Sequence, residues 1–479
     1  MIKILRRLDN SLSLINILIL GNYPRGYAFA KAAKDSTEKY GNQIIGKIHG
    51  VGSNDGLKEM GLILSDLNIN NNEEVLQYCK DNNITFVISD SEEQISNGLV
   101  TFLHEHGIYM VGPTAETAWV EDDKVRSRVE MDSAGVPCPE FAIVESKTQA
   151  IEIGKEYISK YGGLFFKKPM LHGGKGANFI GSEEKLIAHA TEWKEEYQSK
   201  NYKLQALIEE PMIGFEFSSY FICGVDKAGN AVYAYDGAAE DYKYTGVRIK
   251  DSSFFVGQKG EVTGGMASVA PSFIQTEKLL GKVKNRCVDR FLKYMHAQGT
   301  PFHGYLYVGG MAVFNKENKE WDFQIVEFNM RDGDPEAVAR NALRETDIIP
   351  YLLASTRHPE YAGFLAELPE IKFSNKVALN IVFASEGYPG KYKKDVPVKV
   401  SEELRTREDI IVYYGPIKDG KTAGSRCLEI VILADNLELA RAKIPEVIAG
   451  VDWPGVQVNV TAGDRVETLE KLNKMGALD

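Results

Sequence analysis

Short apolar runs alternate with helix-like stretches through the first quarter of the chain. The apolar runs have the length of buried strands and occupy residues 16–20, 43–48, 85–89 and 109–111, and the stretches predicted as helices occupy residues 27–34, 73–79 and 97–106. Strands that alternate with helices build a parallel sheet covered on both faces, and such sheets bind ligands beyond the carboxyl ends of their strands. We therefore predict a doubly wound parallel sheet in an N-terminal domain over residues 1–115.

The pattern after residue 116 mixes helices and strands without regular alternation. We predict helices at residues 116–134 and 276–298, strands at residues 141–144, 164–167, 204–210, 215–223, 304–314 and 323–328, and a flexible loop at residues 260–268. The last part has predicted strands at residues 377–383 and 428–433, a loop at 385–390 and a helix at 437–449. The fold class is therefore α/β and α+β multidomain, with a central domain over residues 116–374 and a small mixed C-terminal domain over residues 375–479.

Composition narrows the class of protein. A chain of 479 residues with 44% hydrophobic content can bury several cores, and a formal charge of −11 argues against a general nucleic-acid binder. The five cysteines form no CxxC pair, so the sequence predicts neither a zinc site nor a disulfide framework and fits a reducing, cytoplasmic setting. No apolar window is long enough to cross a membrane, and polar residues interrupt the N-terminal run, so we predict a short extension rather than a secretory signal.

A candidate metal site lies in the run 323–328 and the turn after it. Glu327 and Asn329 stand two residues apart, so their side chains project from the same face of a strand. A carboxylate and an amide oxygen are hard ligands of the kind that Mg²⁺ bound to a nucleotide takes from a protein. Arg331 adds a charge suited to phosphate. The alternative is an ordinary strand that ends in a solvated turn at Gly333-Asp334-Pro335.

Two glycine-containing loops are candidate anion sites. Residues 21–26 follow the first strand and open a helix, where backbone N–H groups attract anions, although a purely structural turn fits as well. Residues 172–176 contain three glycines and Lys175, and they follow a strand that ends in Lys167. Glycines let backbone N–H groups close around phosphate oxygens while lysines add charge, but a surface hairpin loop has the same composition.

A candidate nucleotide pocket lies at the apolar strand 204–210, which ends in Glu209 and Glu210. The apolar part can stack a base, and the backbone at the strand end can contact an adenine edge. A glutamate here could accept ribose hydroxyls, and Glu216 lies on the following strand. Each of these acids is equally compatible with a solvated strand end.

The order of these features resembles the ATP-grasp enzymes and, in detail, the glycinamide ribonucleotide synthetases, the phosphoribosylamine–glycine ligase family. The resemblance extends from about residue 17 to residue 464. It rests on the motifs at residues 111–113, 121–124, 174–176, 208–210, 264–266, 326–329, 333–336 and 384–390, the last reading Ala-Ser-Glu-Gly-Tyr-Pro-Gly. It implies a Rossmann-like substrate domain (residues 1–115), a central ATP-grasp domain (116–374) with a mobile lid subdomain at about 140–205, and a small C-terminal domain (375–479).

The resemblance also implies roles for residues at matching positions. ATP would contact Lys124, Lys167, Lys175, Glu209, Glu210 and Glu216, with Lys175 in the lid and Glu216 at the ribose hydroxyls. Mg²⁺, with Mn²⁺ as an alternative, would bind Glu327 and Asn329. The substrates would contact Arg25, Glu92, Asp241, Lys243 and Asp334, and the catalytic residues would be Arg331, Asp334 and Lys175.

The reaction implied by the resemblance is an ATP-dependent ligation through an acyl phosphate, which joins glycine to phosphoribosylamine in purine biosynthesis. An amide bond between a different amine and amino acid, and a non-catalytic nucleotide-binding relative, remain alternatives. The implied partners are small molecules, an amino acid and a phosphorylated amine, without nucleic acid or membrane. The protein itself would be a cytoplasmic monomer or weak dimer.

Departures from the family pattern fall mainly on the acceptor side. Asn22, Tyr23 and Pro24 fill a turn that is rich in glycine in the family, and Pro24 has no N–H to donate. The other departures are Gly26 and Tyr27 for an acid and a histidine, Tyr242 and His303 for a histidine and an arginine, Val262 for an asparagine, and Asp332 for an apolar aromatic residue. Such departures on the acceptor side are the expected sign of a changed substrate.

Overall fold

The N-terminal alternation of strands and helices folds into a five-stranded parallel sheet. The computed structural model describes residues 14–40, 45–169, 177–245, 247–248, 255–256 and 261–477. The strands lie in the order Ile63–Ser65, Ile45–Val51, Ile15–Leu20, Ile84–Ser89, Tyr109–Met110, and the helices are Pro24–Tyr40, Asp55–Glu59, Asn72–Asp81, Glu92–Ser96 and Leu99–Glu105. The strand order reverses between Ile15–Leu20 and Ile84–Ser89, so the turns after these two strands face one crevice. The predicted doubly wound sheet is confirmed.

A small antiparallel sheet with two helices lies where the lid subdomain was predicted. Its strands are ordered Phe141–Val144, Ala206–Glu209, Leu164–Lys167, Ala177–Ile180, and the helices are Lys147–Tyr161 and Glu183–Ser199. Phe166 and Trp193 pack edge to face in its core, with ring centroids 5.3 Å apart. The core holds this unit together, and its motion as a lid stays a prediction.

One eight-stranded antiparallel sheet joins the central and C-terminal parts of the chain. Its order is Glu320–Asn329, Gly304–Asn315, Phe215–Val225, Ala231–Tyr244, Val262–Ala270, Val377–Ala384, Arg426–Ala434, Ile410–Tyr414. The pairing of Val262–Ala270 with Val377–Ala384 carries the sheet across residue 375. Two-stranded ribbons pair Val247–Arg248 with Phe255–Val256, Lys399–Val400 with Val451–Asp452, and Ile417–Lys418 with Lys421–Thr422.

The remaining helices surround these sheets. They are Trp119–Asp122, Lys124–Ser133, Glu277–Val283, the π-helical turn Lys284–Val288, Asp289–Ala297, Glu336–Leu343, Ile349–Ser355, the 3₁₀ turn Leu365–Glu367, Glu402–Thr406, Leu437–Ala442, Ile444–Ala449 and Val466–Met475. In the part of the chain that the structure describes, none of the helices has the length and apolar character needed to cross a membrane.

The structure corrects two of the predicted elements. Residues 262–270, which fall mostly in the predicted loop, form the strand Val262–Ala270. Glycine there reflects close packing rather than flexibility, because a Cβ on Gly265 would lie 2.2 Å from Cδ of Pro335. The predicted helix 116–134 is two helices, since Asp123 has an extended backbone and its carboxylate accepts hydrogen bonds from the backbone N–H groups of Val125 and Arg126. This cap starts a new helix at Lys124.

Candidate active site

Five of the predicted site residues, among them Glu209, line one crevice between the small antiparallel sheet and the large sheet. Lys124 begins a helix, Lys167 ends the strand Leu164–Lys167, and Glu327 and Asn329 end the strand Glu320–Asn329. The ammonium group of Lys124 lies 3.2 Å from Oε2 of Glu327. The backbone N–H of Lys124 also donates to the carbonyl of Pro169, 3.0 Å away, which ties the helix to the segment after Lys167.

The electrostatics of this crevice favour bound anions and a metal. Lys124 holds the pKa of Glu327 far below its ordinary value, and Lys167 and Lys243 add to the effect, outweighing the partial burial of the carboxylate. Glu327 is therefore ionised at neutral pH. Asn329 is buried, and its Nδ2 has no hydrogen-bond partner among the residues that the structure describes. The carboxylate of Glu327 and the side-chain amide oxygen of Asn329 are hard oxygen ligands that fit Mg²⁺, whereas the unpartnered Nδ2 carries hydrogens and does not bind a cation.

The remaining metal ligands would come from outside the protein. Within the described ranges, the structure contains no cluster of three or more His, Cys, Asp or Glu side chains that could hold a metal ion. A site with two protein ligands suits a metal that also binds nucleotide phosphates and water.

Glu209 forms a buried ion triad in the wall of the crevice. Its carboxylate lies 2.6 Å from Nε of Arg128 and 2.6 Å from Nζ of Lys167, and its exposed side-chain fraction is 1%. Burial alone would raise the pKa of Glu209, but Arg128 and Lys167 hold this pKa below its ordinary value. The carboxylate is thus engaged with the two cations. We infer that it positions Lys167, and its predicted direct contact with the nucleotide stays a prediction.

Arg128 is a residue of the crevice that sequence reasoning missed. Besides pairing with Glu209, it donates to the carbonyls of Ile325 and Val326 at 2.9 and 2.8 Å, so it links the helix Lys124–Ser133 to the strand Glu320–Asn329. The available signal was its spacing, since residues four apart share a helix face and Lys124 was already a candidate.

The other predicted nucleotide ligands make protein contacts of their own. The carboxylate of Glu210 accepts from the backbone N–H of Glu140 at 3.0 Å, at the edge of the small sheet. Glu216 pairs with Lys243 at 2.6 Å on neighbouring strands, and this carboxylate raises the pKa of Lys243 well above its ordinary value. The predicted ribose ligand and a predicted substrate ligand therefore contact each other.

Arg331 lies between two carboxylates, those of the predicted substrate ligand Glu92 and of Glu121. Its guanidinium lies 3.3 Å from the carboxylate of Glu92 and 3.3 Å from that of Glu121. Glu121 also accepts from the backbone N–H of Met330 at 2.9 Å, and burial raises its pKa to about 7, against the opposing effect of Arg331. Glu92 and Arg331 therefore contact each other, as two residues of one substrate site would. The guanidinium of Arg331 lies between two carboxylates, which fix its position.

Asp334 pairs with Arg426, a residue of the C-terminal part that sequence reasoning missed. The two side chains make bidentate contacts of 2.7 and 3.3 Å. Burial opposes ionisation of Asp334, but Arg426 and Arg25 hold its pKa below the ordinary value. Asp241 lies near this pair, and its buried Oδ1 has no hydrogen-bond partner within the described part of the chain. No local pattern in the sequence indicated Arg426.

Asp332 and Arg25 contact the protein interior. The carboxylate of Asp332 pairs with Arg340, which also lies 2.6 Å from Asp236, and all three side chains are buried. Arg25 donates to the backbone carbonyl of Asp332. The negative charge of Asp332, at a position where the family has an apolar residue, is therefore neutralised inside the protein by Arg340.

The turn at residues 21–26, after the first strand, contains a carboxylate from another part of the chain. Asp90 follows the strand Ile84–Ser89, and the backbone N–H of Tyr23 donates to its Oδ2 at 3.3 Å. A Cβ on Gly21 would lie 1.8 Å from Cγ of Asp90, and one on Gly26 would lie 2.8 Å from its Oδ2. The carboxylate therefore packs between the two glycines that bound the turn. Burial raises the pKa of Asp90 to about 7, with Arg25 opposing the shift.

We expect Asp90→Asn to reduce the pH dependence of stability. The folded pKa of about 7 exceeds the ordinary value of 3.8. The native state therefore binds the proton of Asp90 more tightly than the unfolded state does. The stability that this proton contributes is present below about pH 4 and is lost as pH rises through about 7. Between pH 5 and pH 8 the wild type should lose on the order of 2 kcal/mol more unfolding free energy than the variant. Denaturant unfolding of both proteins at the two pH values measures this, and equal losses contradict it.

Lys175 and the glycine-rich loop at residues 172–176 lie outside the described residues. The predicted lid contact of Lys175 with phosphate stays a prediction.

Comparison with protein-family models places most of the chain in one family. The N, ATP-grasp (A) and C domain models of phosphoribosylglycinamide synthetase match residues 15–121, 122–337 and 378–459. Lys124, Lys167, Glu327 and Asn329 all lie within the ATP-grasp match, whereas Arg25 lies in the N-domain match and Arg426 in the C-domain match.

Individual relatives are distant in sequence. The chain is 28% identical over 402 residues to the human trifunctional purine biosynthetic protein adenosine-3, covering 83% of this chain but only 37% of that protein. It is 27% identical over 475 residues to phosphoribosylamine–glycine ligase of Pyrococcus horikoshii, covering 96% of this chain and 98% of that protein. The crystal structure of phosphoribosylamine–glycine ligase from Thermotoga maritima matches with a TM-score of 0.72 at 22% identity, covering 93% and 99% of the two chains, which shows a shared fold.

Proposed function

The chain belongs to the phosphoribosylglycinamide synthetase family, and we propose that it is an ATP-dependent ligase that joins the carboxylate of glycine to phosphoribosylamine. The observation that carries the proposal is the convergence of Lys124, Lys167, Glu327 and Asn329 in one crevice. Two cations and two hard oxygen ligands at one place are what an ATP triphosphate with its metal requires.

The proposed reaction has two steps. The glycine carboxylate attacks the γ-phosphorus of ATP, which gives an acyl phosphate and ADP. The amine then attacks the acyl carbon, phosphate leaves, and an amide bond forms. Such chemistry asks the protein mainly for positioning and charge neutralisation rather than for a covalent nucleophile.

The residues of the crevice meet these two needs. Lys124 and Lys167 would neutralise phosphate charge, and Glu209 with Arg128 would keep Lys167 directed at the crevice. Glu327 and Asn329 would hold Mg²⁺, which when bound withdraws charge from the phosphoryl oxygens. Arg331, fixed between Glu92 and Glu121, would orient the glycine carboxylate near the metal-binding strand.

A turnover assay tests the proposal. The protein is incubated with ATP, Mg²⁺, glycine and freshly generated phosphoribosylamine, and ADP, phosphate and product mass are followed. In parallel, hydroxylamine replaces the amine, so that an activated glycine is trapped as its hydroxamate. We expect ADP release that depends on glycine in both assays. No glycine-dependent ADP release in either assay contradicts the proposed ligase activity.

A further inference from the structure

Polar side chains from three neighbouring strands of the large sheet converge on the loop that contains Asp334. The side chains of Ser268 and Asn380 donate to the backbone carbonyl of Pro335 at 2.8 and 3.1 Å. Arg426, on the third strand, binds the carboxylate of Asp334. These contacts hold the loop against one face of the sheet, and Asp334 is the residue of the loop that is predicted to contact the substrates.

Glu429 is a fourth polar side chain on this face, and a bulge in its strand places it there. The strand Arg426–Ala434 has one more residue than its neighbour between the pairs Ala384–Arg426 and Val382–Glu429. Val382 and Ala384 are two residues apart and point to the same face of the sheet, so their partners Arg426 and Glu429 do the same. Without the extra residue, Arg426 and Glu429 would point to opposite faces.

The side chain of Glu429 is fully buried, and one of its two oxygens lacks a donor. Its Oε2 accepts from Nδ2 of Asn380 at 2.6 Å, whereas Oε1 has no hydrogen-bond partner among the N–H and O–H groups of the described ranges. The carboxyl group of Glu429 instead forms a hydrogen bond with the carboxyl group of Asp334. Ionised carboxylates only accept, so such a bond requires a proton on one of the two groups.

The surrounding charges decide which of the two groups carries the proton. Burial opposes ionisation of both, but Arg426 and Arg25 hold the pKa of Asp334 below its ordinary value. For Glu429, burial and then the charge of Asp334 raise the pKa well above its ordinary value, against the opposing effects of Arg426 and Asn380. The proton therefore stays on Glu429, and Asp334 keeps its negative charge.

We propose that Glu429 is a positioning residue that, as a neutral carboxylic acid, donates to Asp334 and so fixes this carboxylate to receive the ammonium group of the amino acid substrate. An ionised carboxylate complements an ammonium ion, and Asp334 lies three residues after Arg331, which would hold the carboxylate of the same substrate. The inference rests on the proposed function and adds to it a residue that acts on glycine through Asp334.

Infrared spectroscopy tests whether Glu429 is the donor. The difference spectrum between the wild type and Glu429→Gln is recorded at neutral pH without substrates. We expect the C=O stretching band of a neutral carboxylic acid in the wild type, with a shift in deuterated water and no such band from this position in the variant. Absence of the band from the difference spectrum shows that Glu429 is ionised and overturns the inference.

Steady-state kinetics tests the positioning role with two substitutions. Glu429→Gln keeps a donor for Asp334 and an acceptor for Asn380, so the KM of glycine should stay close to that of the wild type. Glu429→Met has a similar length but no donor, and we expect the KM of glycine to rise at least about tenfold, the effect of losing one hydrogen bond to a charged group. The KM of ATP should not change in either variant.

Leu428→Met is the matched control. It introduces the same side chain at the neighbouring position, which packs in the core of the C-terminal part, and volume-conserving changes of this kind are well tolerated. We expect the wild-type KM of glycine for this variant. An unchanged KM of glycine in Glu429→Met overturns the inference. A KM that rises equally in Glu429→Met and Glu429→Gln also overturns it, because the amide should replace the donor.

The two measurements separate this inference from the proposed function. The infrared band is recorded without turnover, so it decides the assignment of the donor whether or not the enzyme is active. Absence of glycine-dependent ADP release by the wild type, with phosphoribosylamine and with hydroxylamine, contradicts the proposed function instead.

Discussion

Replacing Glu327 with glutamine is expected to lower the rate of glycine-dependent ADP release by at least about 1,000-fold. The substitution keeps the size of the side chain but removes the negative charge that, with Asn329, would hold the metal. Metal stabilisation of transferring phosphoryl groups contributes several kcal/mol, and each 1.36 kcal/mol corresponds to a factor of ten. The change also leaves Lys124 without the carboxylate that lies 3.2 Å from its ammonium group.

The fold should survive this substitution. The side chains of Lys124 and Glu327 are 24% and 40% exposed, and water can solvate the lysine that is left. Glu320→Gln is the matched control, because it lies at the other end of the same strand and pairs with Lys278 away from the crevice. We expect near wild-type activity for the control. Activity of Glu327→Gln within a factor of ten of the wild type, with an unchanged circular dichroism spectrum, would show that the metal assignment is wrong.

Replacing Glu209 with glutamine is expected to lower the free energy of unfolding by about 3 to 5 kcal/mol, because it leaves two buried cations without their counter-charge. Arg128 and Lys167 each lie 2.6 Å from this carboxylate, and neither is free to reach water, since their side chains are 2% and 7% exposed. Denaturant unfolding measures the loss. We also expect weaker ATP binding, because Lys167 loses the partner that positions it.

Glu183→Gln provides the comparison for Glu209. Its pair with Lys155 has a similar length, 2.9 Å, but both side chains are about half exposed. We expect little change in the unfolding free energy for this variant. If the two variants lost equal amounts of unfolding free energy, the loss would depend on the ion pair itself and not on its burial, which contradicts this prediction. A stable Glu209→Gln protein with normal ATP affinity would contradict the inference that Glu209 positions Lys167.

The local pattern of apolar and polar residues was sufficient to predict most elements of the N-terminal sheet and of the small sheet. The strands Phe141–Val144 and Leu164–Lys167 were predicted with the bounds that the structure shows, because short apolar runs between polar turns are a property of neighbouring residues. The strand Val262–Ala270 was predicted as a loop for the opposite reason. Its glycines have low strand propensity, and the packing of Pro335 against Gly265, which explains that glycine, is a tertiary contact.

The residues that the sequence did not reveal are those whose partners are distant. Arg426 lies 92 residues after Asp334 and contacts it because the strands Val262–Ala270 and Val377–Ala384 pair and continue one sheet into the C-terminal part. Asp90 enters the first turn because its strand neighbours Ile15–Leu20, although the two strands are separated by two others in sequence. Strand order and register are decided by non-local packing, which local periodicity does not contain.

By itself, the sequence determined the family, the kinds of element and the composition of the nucleotide end of the site. Glu327 and Asn329 share a strand face because of strand geometry, and their motif lies within the matched ATP-grasp domain. The tertiary structure alone decided which charges face one another: Glu209 between Arg128 and Lys167, Arg426 on Asp334, and Asp90 inside the turn of Gly21. The physical reason is that a buried charge must find a counter-charge or a donor wherever the fold supplies one, and that location depends on the complete chain.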